Sequence, residues 1–173
     1  LTSLLIIFVF VPQMAMAGLN LIPSLGTYKS QNDNTKTQSL SQLELRAGYS
    51  FEDMGLFLGM FYSLGSNKFV EHTDQYFIGP MVGYKLKCGS YAMLGYTLFS
   101  EQDLEIGGIK YSSGTGPQVS IGHALLIAED IYLAPEFTFR TVNYSKREVL
   151  GVSQDWDRDD NSFYPSITLW FKF

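Results

Sequence analysis

The sequence has 173 residues, room for one domain of ordinary size. Hydrophobic residues make up 46% and aromatics 15%, while charged residues reach only 17%, against roughly a quarter in an average soluble protein. Twelve Lys and Arg against 17 Asp and Glu leave a net charge of −5, which excludes a basic nucleic-acid footprint. Cys88 is the only cysteine, so neither an internal disulfide nor a cysteine-based zinc site is available, and two histidines leave little for metal chemistry.

Leu4 to Val11 reads LLIIFVFV, followed by Pro12-Gln13-Met14 and then Ala15-Met16-Ala17. An apolar core ending in small-x-small is the pattern of a secretory signal peptide, with cleavage expected after Ala17. The run is too short for a membrane-spanning helix, which needs about 20 residues. No basic segment precedes it and the sequence opens on Leu, so 1–17 reads as a signal peptide without its start, and 18–173 as the exported domain. The residue directly after the cleavage point is Gly18 and not cysteine, so a lipid anchor is not expected.

Eight segments of similar length follow: 18–30, 39–51, 55–65, 74–87, 90–102, 113–127, 131–145 and 161–173. Each suffices for a tilted transmembrane strand, which takes about 9–11 residues. The connections alternate in character. Glu52-Asp53-Met54, Cys88-Gly89 and Ala128-Glu129-Asp130 are short, whereas 31–38, 66–73, 103–112 and 146–160 are long and polar.

Faces can be assigned by alternation. In 39–51, Leu43, Leu45, Ala47, Tyr49 and Phe51 share one face, and Glu44 and Arg46 fall on the other. In 74–87, Tyr76, Ile78, Pro80, Val82, Tyr84 and Leu86 oppose Lys85. In 131–145, Leu133, Pro135, Phe137 and Phe139 oppose Glu136 and Arg140. If the apolar face meets lipid, where a charge costs about 2–4 kcal/mol near the midplane, every one of these charges is directed inward. Aromatics gather at two heights: Tyr49, Phe51, Phe57, Tyr84, Tyr91, Tyr132, Phe171 and Phe173 near the short turns, and Tyr28, Tyr62, Tyr76, Phe99, Tyr144 and Phe163 near the long loops. Two interfacial girdles are expected from this. Pro23, Pro80, Pro117, Pro135 and Pro165 fall inside predicted strands and should occupy bulges or strand ends.

The last segment, SFYPSITLWFKF, alternates strictly: Phe163, Pro165, Ile167, Leu169, Phe171 and Phe173 on one face, with Trp170 the exception on the other and Lys172 directed inward. Ile167, Leu169, Phe171 and the final Phe173 resemble the C-terminal assembly signal of bacterial outer-membrane β-barrels. With the signal peptide, the even strand count and the asymmetric connections, the exported domain resembles the small eight-stranded outer-membrane barrels, such as the OmpA transmembrane domain and the OmpX-like proteins. The resemblance implies an all-β fold, an eight-stranded antiparallel transmembrane β-barrel. Both termini would be periplasmic and the long loops outside. Its partners would be outer-membrane lipid and lipopolysaccharide, with the barrel-assembly machinery during biogenesis. No nucleic acid, cofactor or metal is implied, and the sequence names no partner for the loops.

Some barrels of this kind are enzymes acting on lipid A. The His-x-Ser-Asn pattern of the deacylase type is absent, because Ala124, Leu125 and Leu126 follow His123. His123 reads as an interface or lumen residue near a periplasmic turn. His72, Thr73 and Asp74 are the one loose echo of a palmitoyltransferase His/Asp/Ser set, and a plain polar loop is favoured. Asp155, Asp157 and Asp159 match the start of an EF-hand loop, but Asp160 stands where Gly is required and Ser166 where Glu is required. A solvated loop is the favoured reading. Cys88 reads as a tolerated turn residue. Catalytic residues are therefore not expected.

Inside the barrel, Arg46 and Glu136 count to nearly equal heights from the short turns, and Glu44 and Arg140 to within about one pleat. An eight-stranded interior is just wide enough for side chains to fill. Glu44, Arg46, Glu136 and Arg140 are therefore expected to pair and plug the lumen. The favoured function is a non-enzymatic outer-membrane protein acting through its outer loops. A small pore and a lipid A-modifying enzyme are the alternatives.

Overall fold

The computed structural model describes residues 17–32, 35–51, 55–67, 73–104 and 108–173. The predicted signal peptide falls outside them except for Ala17, as does His72. Ten segments run in chain order: β1 (Ala17–Asn32), β2 (Thr35–Phe51), β3 (Leu56–Asn67), β4 (Thr73–Lys85), β5 (Ser90–Thr97), β6 (Phe99–Leu104), β7 (Ile109–His123), β8 (Leu125–Ala128), β9 (Ile131–Val149) and β10 (Val152–Lys172). Only Leu98 separates β5 from β6, and only Ala124 separates β7 from β8, so each pair forms one stave and the barrel has eight. All neighbouring pairings are antiparallel. Strand β1 meets β10 through Asn20↔Lys172 to Gly26↔Ser166, which closes the sheet on itself. Closure leaves no edge, the condition for a sheet to cross lipid.

Burial alternates with the pleat. Along β4 it reads buried–exposed almost without a break, and Ile78, Pro80, Val82 and Tyr84 face outward. The outward positions of all eight staves form an apolar belt, including Leu21, Leu25, Leu43, Leu45, Met60, Leu94, Ile121, Phe137 and Ile167. Phe137 and Phe163 stack across β9 and β10 with ring centroids 5.7 Å apart. An exposed belt of this extent cannot face water in a folded monomer. Above it the outward positions turn polar: Thr141 Oγ1 donates to Asn161 Oδ1 at 2.8 Å, and Lys110 Nζ lies 2.7 Å from Glu101 Oε2. That hydrogen bond to Glu101 holds the Lys110 ammonium above its ordinary pKa.

Three expectations change. First, 146–160 is not a loop: β9 and β10 stay paired out to Val149↔Val152, and the chain reverses at Leu150 and Gly151, with φ of 51° and 83°. Positive φ at both central residues is what a tight two-residue hairpin needs. The predicted loops 31–38 and 103–112 shrink likewise, since β1 reaches Asn32, β2 starts at Thr35, β6 reaches Leu104 and β7 starts at Ile109.

Second, four of the predicted girdle residues face the lumen. Phe57, Tyr91 and Tyr144 are buried in the interior cluster, and Tyr132 packs against it. Phe57 shares its phase with Phe61 and Tyr91 with Met93, so the pleat turns them inward whatever their height. Tyr49, Tyr84, Tyr62, Phe99 and Phe163 do face outward. The Tyr28 side chain is outside the described residues.

Third, the prolines sit in strands, but each at a gap in one ladder. Pro80 lies opposite the bulge at Leu98, where the register steps from Met81↔Gly95 to Ile78↔Phe99. Pro23 falls where the ladder to β10 skips from Leu21↔Phe171 to Ser24↔Thr168, and Pro117 where β7–β9 skips from Thr115↔Asn143 to Gln118↔Arg140. Pro135 stands across from the β7–β8 break, and Pro165 just past the last β1–β10 pair. A residue without an N–H is tolerated where a ladder bond is already missing.

Candidate functional site

The lumen is packed, and its middle is charged. Glu44, Arg46, Glu136 and Arg140 are each only 1–2% exposed. Strands β2 and β9 bring them together from opposite walls. Arg46 Nη1 donates to Glu136 Oε2 at 2.6 Å and Nη2 to Oε1 at 2.5 Å, a two-pronged contact. Its Nε donates to Glu44 Oε1 at 2.6 Å. Arg140 Nη2 reaches the other oxygen of Glu44, also at 2.6 Å. Two cations therefore meet two anions in one connected group.

Neighbours from other staves complete it. Gln118 on β7 donates from Nε2 to both oxygens of Glu44, at 3.0 and 3.1 Å, and accepts from Arg140 Nε at 2.7 Å. The Tyr91 hydroxyl on β5 donates to Glu136 Oε2 at 2.7 Å, and Thr138 Oγ1 donates to Oε1 at 3.0 Å. The Arg140 guanidinium also lies 4.2 Å from the Phe77 ring centroid. Pairing plus hydrogen bonding is what permits charge in a narrow, water-poor interior. Tyr91 and Gln118 carry no charge, so counting charges along the sequence passes them over. Their signal is phase alone: both alternate with outward apolar neighbours.

Below this layer the interior opens toward the short-turn end. Trp170 faces inward and donates from Nε1 to Asn20 Oδ1 at 2.5 Å, while Asn20 Nδ2 donates to Ser50 Oγ at 2.9 Å. Tyr91 meets the Trp170 ring edge-on at 5.5 Å, and Phe57 at 6.2 Å. Beyond lies a cavity of about 730 Å³ bordered by Lys85, Lys87 and Lys172. The Lys85 Nζ sits 3.9 Å from the Tyr132 ring centroid.

The remaining sequence candidates are scattered. Thr73 is buried and Asp74 exposed, so they point to opposite faces. His123 Nδ1 lies 3.0 Å from Ser90 Oγ at the short-turn end. The acidic run is strand: Asp157 and Asp159 both accept from Asn143 Nδ2, at 2.7 and 3.0 Å. No group of three metal-capable side chains occurs among the described residues. Cys88 is exposed in the Leu86–Gly89 turn, where hydrogen bonding with Ser90 lowers its pKa. Of the predicted assembly-signal residues, Ile167 and Phe173 are exposed on the outer wall and Leu169 and Phe171 are half-buried there.

A family model described as outer membrane protein beta-barrel domain matches residues 1–165. The crystal structure of Neisserial surface protein A (NspA) matches over 90% of this chain and 97% of its own, at 15% identity and a TM-score of 0.65. The solid-state NMR structure of outer membrane protein AlkL in DMPC bilayers matches over 91% and 90%, at 9% identity and a TM-score of 0.50. The outer membrane protein OprG from Pseudomonas aeruginosa matches over 91% and 97%, at 14% identity and a TM-score of 0.46. No curated protein sequence matches.

Proposed function

Because the chain belongs to the outer membrane protein beta-barrel domain family, we propose that it is a non-enzymatic bacterial outer-membrane barrel, sealed by its own side chains, whose contacts are made by its outer hairpins. The observation that carries this reading is the unbroken chain from Tyr91 through Glu136, Arg46 and Glu44 to Arg140. It crosses the lumen at mid-height, and each link is a charge-assisted hydrogen bond, roughly twice as strong as a neutral one. An ion entering the lumen would have to separate these pairs. Phe61, Phe77 and Tyr164, buried around Arg140, pack their rings against its guanidinium and fill space beside the pairs.

A hydrolytic or acyl-transfer centre would need a base and a nucleophile converging at the outer rim. The one described histidine, His123, is at the opposite end. In this reading the short turns and both termini face the periplasm, and the paired hairpins rise from the cell surface.

The test is conductance. Refolded wild-type protein in planar bilayers should show no steady current. Stable, ion-selective channels from wild type would overturn the sealed lumen and put a pore in its place. Orientation is read with Cys88: a membrane-impermeant maleimide should label it only after the outer membrane is permeabilised. Labelling on intact cells would invert the topology.

A further inference from the structure

We propose that the β10 edge at the top of the outer hairpin accepts an extended peptide segment of alternating basic and apolar residues as an added strand. That partner rests on the outer-hairpin reading for the side of the membrane it comes from, and on nothing else in it. The edge arises from a mismatch in height between the first and last staves. The β1–β10 ladder ends at Gly26↔Ser166. Past that pair β1 runs on for six residues and β10 for 14. Strand β9 stays paired with β10 up to Val149↔Val152, which holds the β10 arm on one side. Its last six residues, 152–157, rise wholly past the end of β1 at Asn32, and among the described residues no strand but β9 pairs with them. That run is about 20 Å long at the usual rise per residue. Every second residue of such an edge turns its backbone N–H and C=O away from the ladder, where an incoming strand satisfies them.

Charge selects the occupant. Asp155, Asp157 and Asp159 stand exposed at alternate positions along the arm. The cations around them are engaged: Arg158 lies over the Tyr111 ring at 4.4 Å and Arg147 over the Trp156 ring at 4.7 Å, while Lys146 is the ladder partner of Asp155. Glu148 adds an exposed acid on β9. Val152 is 61% exposed and Trp156 41%, so apolar surface lies between and beside the carboxylates. A second copy of the chain is a poor occupant. Two arms meeting edge to edge about a twofold axis would set the same aspartates against one another, and like charges facing across a ladder repel. The bulge between Asp155 and Arg158 acts in the same direction, since a twisted, charged edge is how sheets escape self-pairing. A basic segment turns that defence into attraction. Main-chain hydrogen bonds supply the affinity, and the aspartates with Val152 and Trp156 supply the choice of partner.

The test uses the refolded chain in neutral detergent, so neither conductance nor the labelling of Cys88 decides it. A fluorescein-labelled peptide of alternating Lys and Val, capped at both ends and long enough to span the arm, is titrated in and followed by anisotropy. Saturable binding is expected. N-methylation of every second amide keeps all the charges and removes the donors of one edge, and should weaken binding about tenfold or more. The same peptide with Glu in place of Lys should not bind saturably. Asp155→Asn with Asp157→Asn should weaken the Lys peptide about tenfold, and Asp155→Glu with Asp157→Glu should retain it. The gel shift between unheated and boiled samples verifies folding of each variant, and Asp155→Asn alone, with a smaller loss expected, serves where the Asn pair fails to fold. Isotope-labelled carbonyls of the bound peptide should move to the β-sheet amide I band in infrared spectra. No saturable binding, equal affinity after N-methylation, indifference to loss of the aspartates, or an unmoved carbonyl band would each overturn the added strand. Sedimentation of the protein alone should show a monomer, and a dimer that the peptide disperses would give the edge to a second copy instead.

Discussion

The Tyr91 ring occupies the space that a side chain at Gly122 would fill: a Cβ built on Gly122 would lie 2.5 Å from the Tyr91 hydroxyl oxygen. The two residues are direct cross-strand partners on β5 and β7. Glycine here lets the ring lie over the neighbouring backbone, and from that position its hydroxyl reaches Glu136. Gly122→Ala should therefore displace Tyr91 and destabilise the barrel by about 1–3 kcal/mol, the usual cost of overfilling a packed interior. Tyr91→Phe, which keeps the ring and loses one hydrogen bond to a charge, should cost about 1.5–3 kcal/mol. Urea unfolding of refolded protein in vesicles measures both. A neutral Gly122→Ala would mean the ring has room to spare.

The charged layer makes a second demand. Glu136→Gln leaves the Arg46 guanidinium buried beside a neutral amide, and removing one partner of a buried pair costs about 3–5 kcal/mol. Removing both charges with Arg46→Met and Glu136→Gln should cost less than the sum of the single changes, because the buried group of charges is balanced again, with Glu44 left to Arg140. The same unfolding experiment, run as a double-mutant cycle, reads the coupling. Additive losses would show that the two residues do not depend on each other.

What was legible in the sequence follows from what each medium punishes. Lipid tolerates no charge, so the phase of Glu44, Arg46, Glu136 and Arg140 stands out against Leu43, Leu45, Phe137 and Phe139 on the same staves. Water punishes neither face of a hairpin that rises above the belt, so β9 and β10 lose their apolar alternation beyond Thr141 and Asn161 and read as a loop. Height alone places Phe57 and Tyr91 in an interfacial girdle. The pleat assigns them to the lumen, since their neighbours Leu58, Met60, Ala92 and Leu94 hold the outward phase. Gln118 left no charge to count. Its place between Glu44 and Arg140 depends on which staves face each other and at what stagger, which no single segment encodes.

Depth should set the cost of charge on the outer wall. Phe137 is 56% exposed in the middle of the apolar belt and stacks on Phe163. Phe137→Lys should cost about 2–4 kcal/mol by placing an ammonium in hydrocarbon. Asn143→Lys, three pleats higher on β9 among Asp157 and Asp159, should cost nothing near that, since a charge at the interface costs about 0–1 kcal/mol. Folding yield into vesicles and unfolding by urea separate the two. Equal penalties at both positions would place the belt elsewhere on the barrel.

Phe173 separates assembly from stability. Its backbone N–H donates to the Leu19 carbonyl at 2.8 Å, closing the seam between the first and last staves, while its ring is 73% exposed on the outer wall. Phe173→Ala keeps the seam bond and removes only a ring that little else in the chain touches. Once folded, the variant should lose no more than about 1 kcal/mol, since little of the ring's area is buried against protein. In cells the outcome should differ. Ile167, Leu169, Phe171 and Phe173 form the row that resembles the assembly signal, and loss of its last ring should cut the heat-modifiable outer-membrane pool severalfold while degraded protein accumulates in the periplasm. Quantifying the unboiled gel band from cells beside the urea midpoint of the refolded protein gives the two numbers. A fall in the urea midpoint that matches the fall in the cells would make Phe173 a stability residue, and a normal membrane level would remove it from assembly altogether.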